Sequence, residues 1–162
     1  MRQQIYSLVV DNTPGVLSRI AGLFSRRGFN IDSITSGATA DPKYTQITVV
    51  ATGDELILSQ IEKQVRKLED VRRVTLCNED DTVARELIMV KICVNPTQRA
   101  EIVALADIFR ASVVDVCAEA MIVELTGNYN KLDGFLNLLE GYEVLEIART
   151  GLTAITRGGK EK

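Results

Sequence analysis

The sequence predicts an α+β protein of two similar units, each running strand–helix–strand–strand–helix–strand. Three observations lead there. Along the chain, apolar residues switch between the two-residue period of a half-buried strand and the 3.6-residue period of a helix. The order of those switches over the first half recurs over the second. Between the halves lies an acidic, polar stretch at 79–86, EDDTVARE, the expected linker. A chain of 162 residues has room for one domain or two small ones, and 46% hydrophobic residues are enough to fill their cores.

The first strand is expected over Gln4–Val10. A helix follows from Pro14 to Arg27, where Val16, Leu17, Ile20, Leu23 and Phe24 make one apolar stripe. Thr13 is its expected N-cap, Pro14 its first helical residue and Gly28 its stop. Phe29–Ser36 reads as the second strand. Tyr44–Thr52 reads as the third, with Ile47, Val49 and Ala51 alternating against Gln46, Thr48 and Val50. Asp54 suits the N-cap of a second helix with the stripe Ile57, Leu58, Ile61, Val65 and Leu68. Val71–Cys77 closes the unit as its fourth strand.

Beyond the linker the order repeats. Leu87–Val94 is a strand and Thr97–Arg110 a helix, with Ile102, Leu105, Ala106 and Phe109 on one face. Val113–Cys117 and Met121–Thr126 form a hairpin. A helix runs over Tyr129–Glu140, and Glu143–Arg149 is the last strand. This order makes a four-stranded antiparallel sheet with both helices on one face, the ferredoxin-like arrangement. The expected organisation is therefore two ferredoxin-like domains, 1–78 and 87–162, with a frayed tail from residue 153. The first strand reads as apolar on both faces, Ile5, Ser7 and Val9 on one and Tyr6, Leu8 and Val10 on the other. The outer face of that sheet is thus also expected to be covered, by the other domain or by a partner.

Composition narrows the function. The chain has no histidine, which removes the commonest general acid–base group and most zinc-site patterns. Its three cysteines stand apart, as expected of reduced thiols in the cytoplasm. Glu79-Asp80-Asp81 matches no calcium loop and reads as a solvated linker, so no metal site is expected. A net charge of −3 and 5% aromatic residues argue against nucleic acid, and the absence of a long apolar run argues against a membrane span.

The candidate site is the turn Asn12-Thr13-Pro14-Gly15 between the first strand and helix. N–H groups at a helix start have no intrahelical acceptor, and the helix dipole makes them an anion site. Gly15 has no side chain to obstruct a ligand, and Asn12 offers both donors and acceptors. Such a turn could hold the carboxylate and ammonium of a free amino acid. Taken alone it also fits a plain helix cap with no ligand.

The stretch VVDNTPGVLSRIAGLFSRRGFNIDSI, residues 9–34, resembles the opening of the acetolactate synthase regulatory (small) subunit family, whose first part is an ACT domain. QIEKQVRKLEDVRRV (60–74), RELIMVKI (85–92), ADIFRASVVDV (106–116) and ARTGLTAITRG (148–158) are similar to the same family. The resemblance implies an N-terminal ACT domain and an ACT-like C-terminal one. It implies a non-catalytic protein that binds a large catalytic subunit, raises its activity and confers feedback inhibition by valine or a related branched-chain amino acid. That partner would carry thiamine diphosphate, Mg²⁺ and FAD. The ACT domains of a homodimer would pair side by side, placing Asn12, Gly15, Val16 and Leu17 of one chain against Asn30 and Ile31 of the other. The alternative is a stand-alone amino-acid sensor acting on a different enzyme.

Overall fold

In the computed structural model, which describes residues 1–78 and 80–158, the chain divides into two units. The first comprises residues 1–83 together with the C-terminal segment from Leu152; the second is Ala84–Gly151. The elements of the first half are β1 (Arg2–Asp11), α1 (Val16–Arg27), β2 (Ser33–Ala38), β3 (Tyr44–Gly53), α2 (Glu55–Val65) and β4 (Val71–Cys77). Those that follow are β5 (Thr82–Cys93), α3 (Pro96–Phe109), β6 (Ser112–Val116), β7 (Ala120–Gly127), α4 (Tyr129–Leu138), β8 (Glu143–Arg149) and β9 (Thr153–Thr156).

In the first unit the sheet order is β2-β3-β1-β4, every pair antiparallel. Alternation in β1 turns Tyr6, Leu8 and Val10 to one face, where Ile47, Val49 and Ala51 of β3 join them. Val16, Ile20 and Phe24 of α1 and Leu58, Ile61 and Val65 of α2 close over that face. The Tyr6 hydroxyl, carried into this core, is satisfied: it donates to the Leu58 carbonyl at 2.9 Å. The ferredoxin-like expectation holds here.

Helix α1 starts two residues later than expected. Gly15, at φ 87° and ψ −4°, occupies the third position of a turn Thr13-Pro14-Gly15-Val16, and the Val16 N–H reaches the Thr13 carbonyl at 3.5 Å. These angles are those of a type II turn, which favours Pro followed by Gly. The Pro-Gly turn preference therefore outweighs the preference of Pro for a first helical position. Gly15, not Thr13, is the N-cap, and it has no side-chain cap. The far end is as expected. Gly28 is left-handed at φ 68°, and the Phe29 N–H bonds back to the Phe24 carbonyl at 3.0 Å. β2 begins only at Ser33, so Asn30 and Ile31 lie in the connection before it and not within a strand.

The expected linker and tail are both corrected. Thr82 to Glu86, assigned to the linker, already belong to β5, and the unit boundary falls inside that strand, between Val83 and Ala84. The tail from 153 does not fray at once. Thr153–Thr156 form β9, which pairs with β5 and lies against β1 and β4. Its Ala154 is 1% exposed, and its carbonyl accepts from the Gln46 side chain at 3.0 Å. The first unit's sheet is thus covered on its outer face, in part by the chain's own C-terminal strand. Four residues are too short to show alternation, and the partner strand β5 ends at Cys93, far back in the sequence, so no local pattern announces this strand. Glu79 and residues 159–162 lie outside the described residues.

In the second unit the order is β6-β7-β5-β8 with α3 and α4 on one face. Ile88, Val90, Ile92, Val123 and Leu125 meet Ile102, Leu132 and Phe135. Helix α3 begins at Pro96 behind an Asn95 N-cap, with Gln98 completing a capping box. The edge strand β8 is exposed along all seven residues.

Candidate ligand-binding site

The loop from β1 into α1 is held from two sides. On one side, the Asn12 N–H donates to the Lys43 carbonyl at 2.8 Å and its Nδ2 to the Pro42 carbonyl at 3.0 Å. That engages the backbone donor and one side-chain donor of Asn12 and leaves its Oδ1 without a hydrogen-bond partner among the described residues. On the other side, the Asp11 N–H donates to the Asp70 carbonyl at 2.9 Å. The Asp11 carboxylate takes the Arg72 guanidinium in a two-point pair, and this hydrogen bonding holds its pKa below the ordinary carboxylate value.

The helix start that follows is open. Gly15 has no side-chain cap hydrogen bond, and the first-turn N–H groups have no intrahelical carbonyl to bond. Arg19, one turn along, lies over this opening. A Cβ at Gly15 would sit 2.9 Å from Arg19 Nη1. The rest of that guanidinium is engaged, with Nε and Nη2 bonding the two Asp70 carboxylate oxygens at 2.6 and 3.0 Å. This hydrogen bonding raises the Arg19 pKa above its already high value. The result is a fixed cation beside an uncapped helix N-terminus, where an anion is favoured. Sequence reasoning did not count Arg19 among the site residues. Its spacing of four from Gly15 was a usable signal, because helical side chains lean toward the N-terminus. Its anchor, Asp70, is 51 residues away and carried no such signal.

The residues singled out from sequence play unequal parts. Leu17 is 46% exposed and stands free as an apolar surface beside the turn. Val16 is buried in the core and its N–H reaches the Thr13 carbonyl, so its side chain is not presented to a ligand. Asn30 is exposed and donates to Asp32 Oδ1 at 2.8 Å; Asp32 Oδ2 in turn accepts from Thr52 at 2.7 Å. Ile31 packs partly against the core. Asn12–Leu17 and Asn30–Ile31 flank opposite ends of α1, whose 12 residues span about 18 Å. A single copy therefore keeps the two groups apart. Among the described residues no group of three His, Cys, Asp or Glu side chains is placed to hold a metal ion, and no helix is long and apolar enough to cross a membrane. Burial pushes the Cys77 thiol up, and desolvation with the nearby Glu143 does the same for Cys93, so neither thiol is activated as a nucleophile.

Residues 6–73 match the family model described as the AHAS small subunit-like ACT domain, and residues 85–158 match that of the small subunit of acetolactate synthase. The chain belongs to the acetolactate synthase small-subunit family. It is 46% identical to the probable acetolactate synthase small subunit of Methanothermobacter thermautotrophicus, over 96% of this chain and 94% of that protein. It is 42% identical to the acetolactate synthase small subunit of Haemophilus influenzae, over 98% of each. The crystal structure of the acetolactate synthase small subunit from Thermotoga maritima superposes with a TM-score of 0.91 at 40% identity, covering 99% of this chain and all of that one. Family membership and the ferredoxin-like ACT fold inferred from sequence both stand.

Proposed function

We propose that this chain is a non-catalytic regulatory subunit that binds and activates the large catalytic subunit of acetolactate synthase and makes it sensitive to valine. The observation carrying this reading is the family likeness along nearly the whole chain, both units included. The thiamine diphosphate, Mg²⁺ and FAD of the reaction belong, on this reading, to the catalytic partner. This chain contributes control, in the cytoplasm.

The effector site lies between two copies whose first units pair side by side in a homodimer. The valine carboxylate meets the N–H groups of Gly15 and Leu17 and the exposed edge of Arg19, while Val16, whose N–H already reaches the Thr13 carbonyl, backs the site. The Asn12 Oδ1 accepts from the ammonium. The side chain rests on Leu17, and Asn30 and Ile31 of the second copy close the site. Three features support this placement: the open helix start, the fixed guanidinium beside it, and the separation of the two residue groups within one copy. A ligand that bridges two copies favours one dimer geometry over another, which is how binding at this distance can be felt by a partner enzyme.

Mixing the purified chain with the large catalytic subunit tests the reading. Acetolactate formation rises on addition, and valine then lowers it. A catalytic subunit whose rate and valine response are unmoved by the folded chain refutes the proposal. The second reading, a sensor for another enzyme, is favoured instead if a pull-down from extract retains a different enzyme.

A further inference from the structure

The outer face of the first unit's sheet, opposite α1 and α2, carries a second recess. Strand β9 lies on this face, and Gln46 ties it there. The Gln46 Nε2 donates to the Ala154 carbonyl at 3.0 Å and to Ser7 Oγ at 3.1 Å. Beside that tie is a cavity of about 880 Å³, lined by outer residues of β1 and β4 and by the segment running out of β9. Ser7 and Thr75 face each other across the β1–β4 register and form its floor. Arg73 shares the outer face with Thr75, two residues along the same strand, and Asn78 and Arg157 complete the wall.

Donors outnumber acceptors in this recess. The Ser7 oxygen already accepts from Gln46, so its O–H is left to donate. Among the described residues, no ion pair or side-chain hydrogen bond engages the guanidinium groups of Arg73 and Arg157 or the amide of Asn78. One carboxylate, Asp81, lines the same recess and is itself engaged. Two guanidinium groups against one carboxylate make the recess locally positive in a chain whose net charge is −3. It is therefore not a sample of a generally basic surface. Its volume lies in the range of small-molecule sites, about 300–1,000 Å³. Guanidinium forks supplemented by neutral donors match the oxygens of a carboxylate or phosphate.

We propose that this recess binds a small oxyanion, carboxylate or phosphoryl, at a site separate from the Asn12–Gly15 turn. Ser7 and Asn12 are five residues apart on and just beyond β1, about 16 Å. The ligand bridges the sheet, through Arg73, and the C-terminal segment, through Arg157. Its binding therefore also holds β9 in place and stabilises the first unit.

Calorimetric titration of the full chain with inorganic phosphate and with malonate, at constant ionic strength in chloride, tests this. At least one probe binds saturably, and the tighter of the two assigns the ligand as phosphoryl or carboxylate. Arg73→Gln and Arg157→Gln each weaken that binding about tenfold or more. Lys67→Gln, an exposed cation change on the same unit outside the recess, leaves it unchanged. Thermal melts followed by circular dichroism confirm that the variants fold. Should either arginine variant not fold, Arg73→Lys, which keeps the charge but loses the fork, weakens binding without abolishing it. Absence of saturable binding of both probes, or equal binding by wild type and the arginine variants, overturns the proposal.

Discussion

Replacing Gly15 by aspartate places a carboxylate where the effector's carboxylate is proposed to bind. Two effects must be separated. The first is strain: Gly15 sits at φ 87°, and a Cβ there begins 2.9 Å from Arg19 Nη1. A left-handed backbone costs an ordinary L-residue about 1–2 kcal/mol. The Arg19 contact is with the far end of a flexible side chain, although Asp70 holds that side chain in place. The second effect is occupancy: the new carboxylate competes for the Arg19 edge and the helix N–H groups and repels the ligand's charge. Hydrogen bonds to charged groups are worth about 1.5–3 kcal/mol, so losing one raises the valine dissociation constant roughly 10- to 100-fold. Gly15→Ala carries the strain without the charge, so the difference between the two variants isolates the electrostatic part. The assay is calorimetric titration of each variant with valine, paired with the valine concentration that half-inhibits the reconstituted enzyme. Thermal unfolding measures the strain. Aspartate and alanine variants that bind valine equally would refute the carboxylate placement, and wild-type affinity in both would remove Gly15 from the site.

Two further predictions concern the framework. Burial, reinforced by Glu62, pushes the Tyr6 phenol up to about 12 from an ordinary value of 10. Its contribution to stability is complete below pH 10 and is lost as pH rises toward 12, by about 1.4 kcal/mol at pH 11. Tyr6→Phe costs about 1 kcal/mol at pH 7 through the lost bond to Leu58. In urea denaturation, that deficit relative to wild type should vanish near pH 11; a pH-independent deficit would contradict the assignment. In the second unit, Phe135 is fully buried, its ring edge-on to Phe109 at 5.4 Å. Phe135→Ala should cost about 3–5 kcal/mol in denaturant unfolding, and a cost under about 1 kcal/mol would mean this core is not the one described.

What could be read from the chain, and what could not, divides by the range of the interactions involved. The stripe Val16, Ile20, Leu23 and Phe24, the alternation through Ile47, Val49 and Ala51, the Asp54 cap and the Gly28 stop all depend on neighbours within a few residues. One element order followed, recurring in both halves. The start of α1 was within reach as well: Pro14-Gly15 spells a type II turn, and the preference of proline for helix starts hid it. That preference operates at Pro96, where Asn95 and Gln98 complete the cap. The candidate site was half legible. The turn and its open N–H groups belong to local sequence, but the cation fixed over them depends on Asp70, brought to Arg19 by the β1–β4 pairing. The burial of Val16 and the exposure of Leu17, adjacent residues on one stripe, were likewise settled by where the sheet lies beneath α1. The C-terminal strand is the clearest case of tertiary control. Thr153–Thr156 is too short to carry a period, and it is ordered because β5 pairs with it and Gln46 holds Ala154 against the sheet. Local pattern selects which segments become helix or strand. Which distant groups meet, and so where charge and recesses form, follows from chain closure over tens of residues, which no short stretch of sequence records.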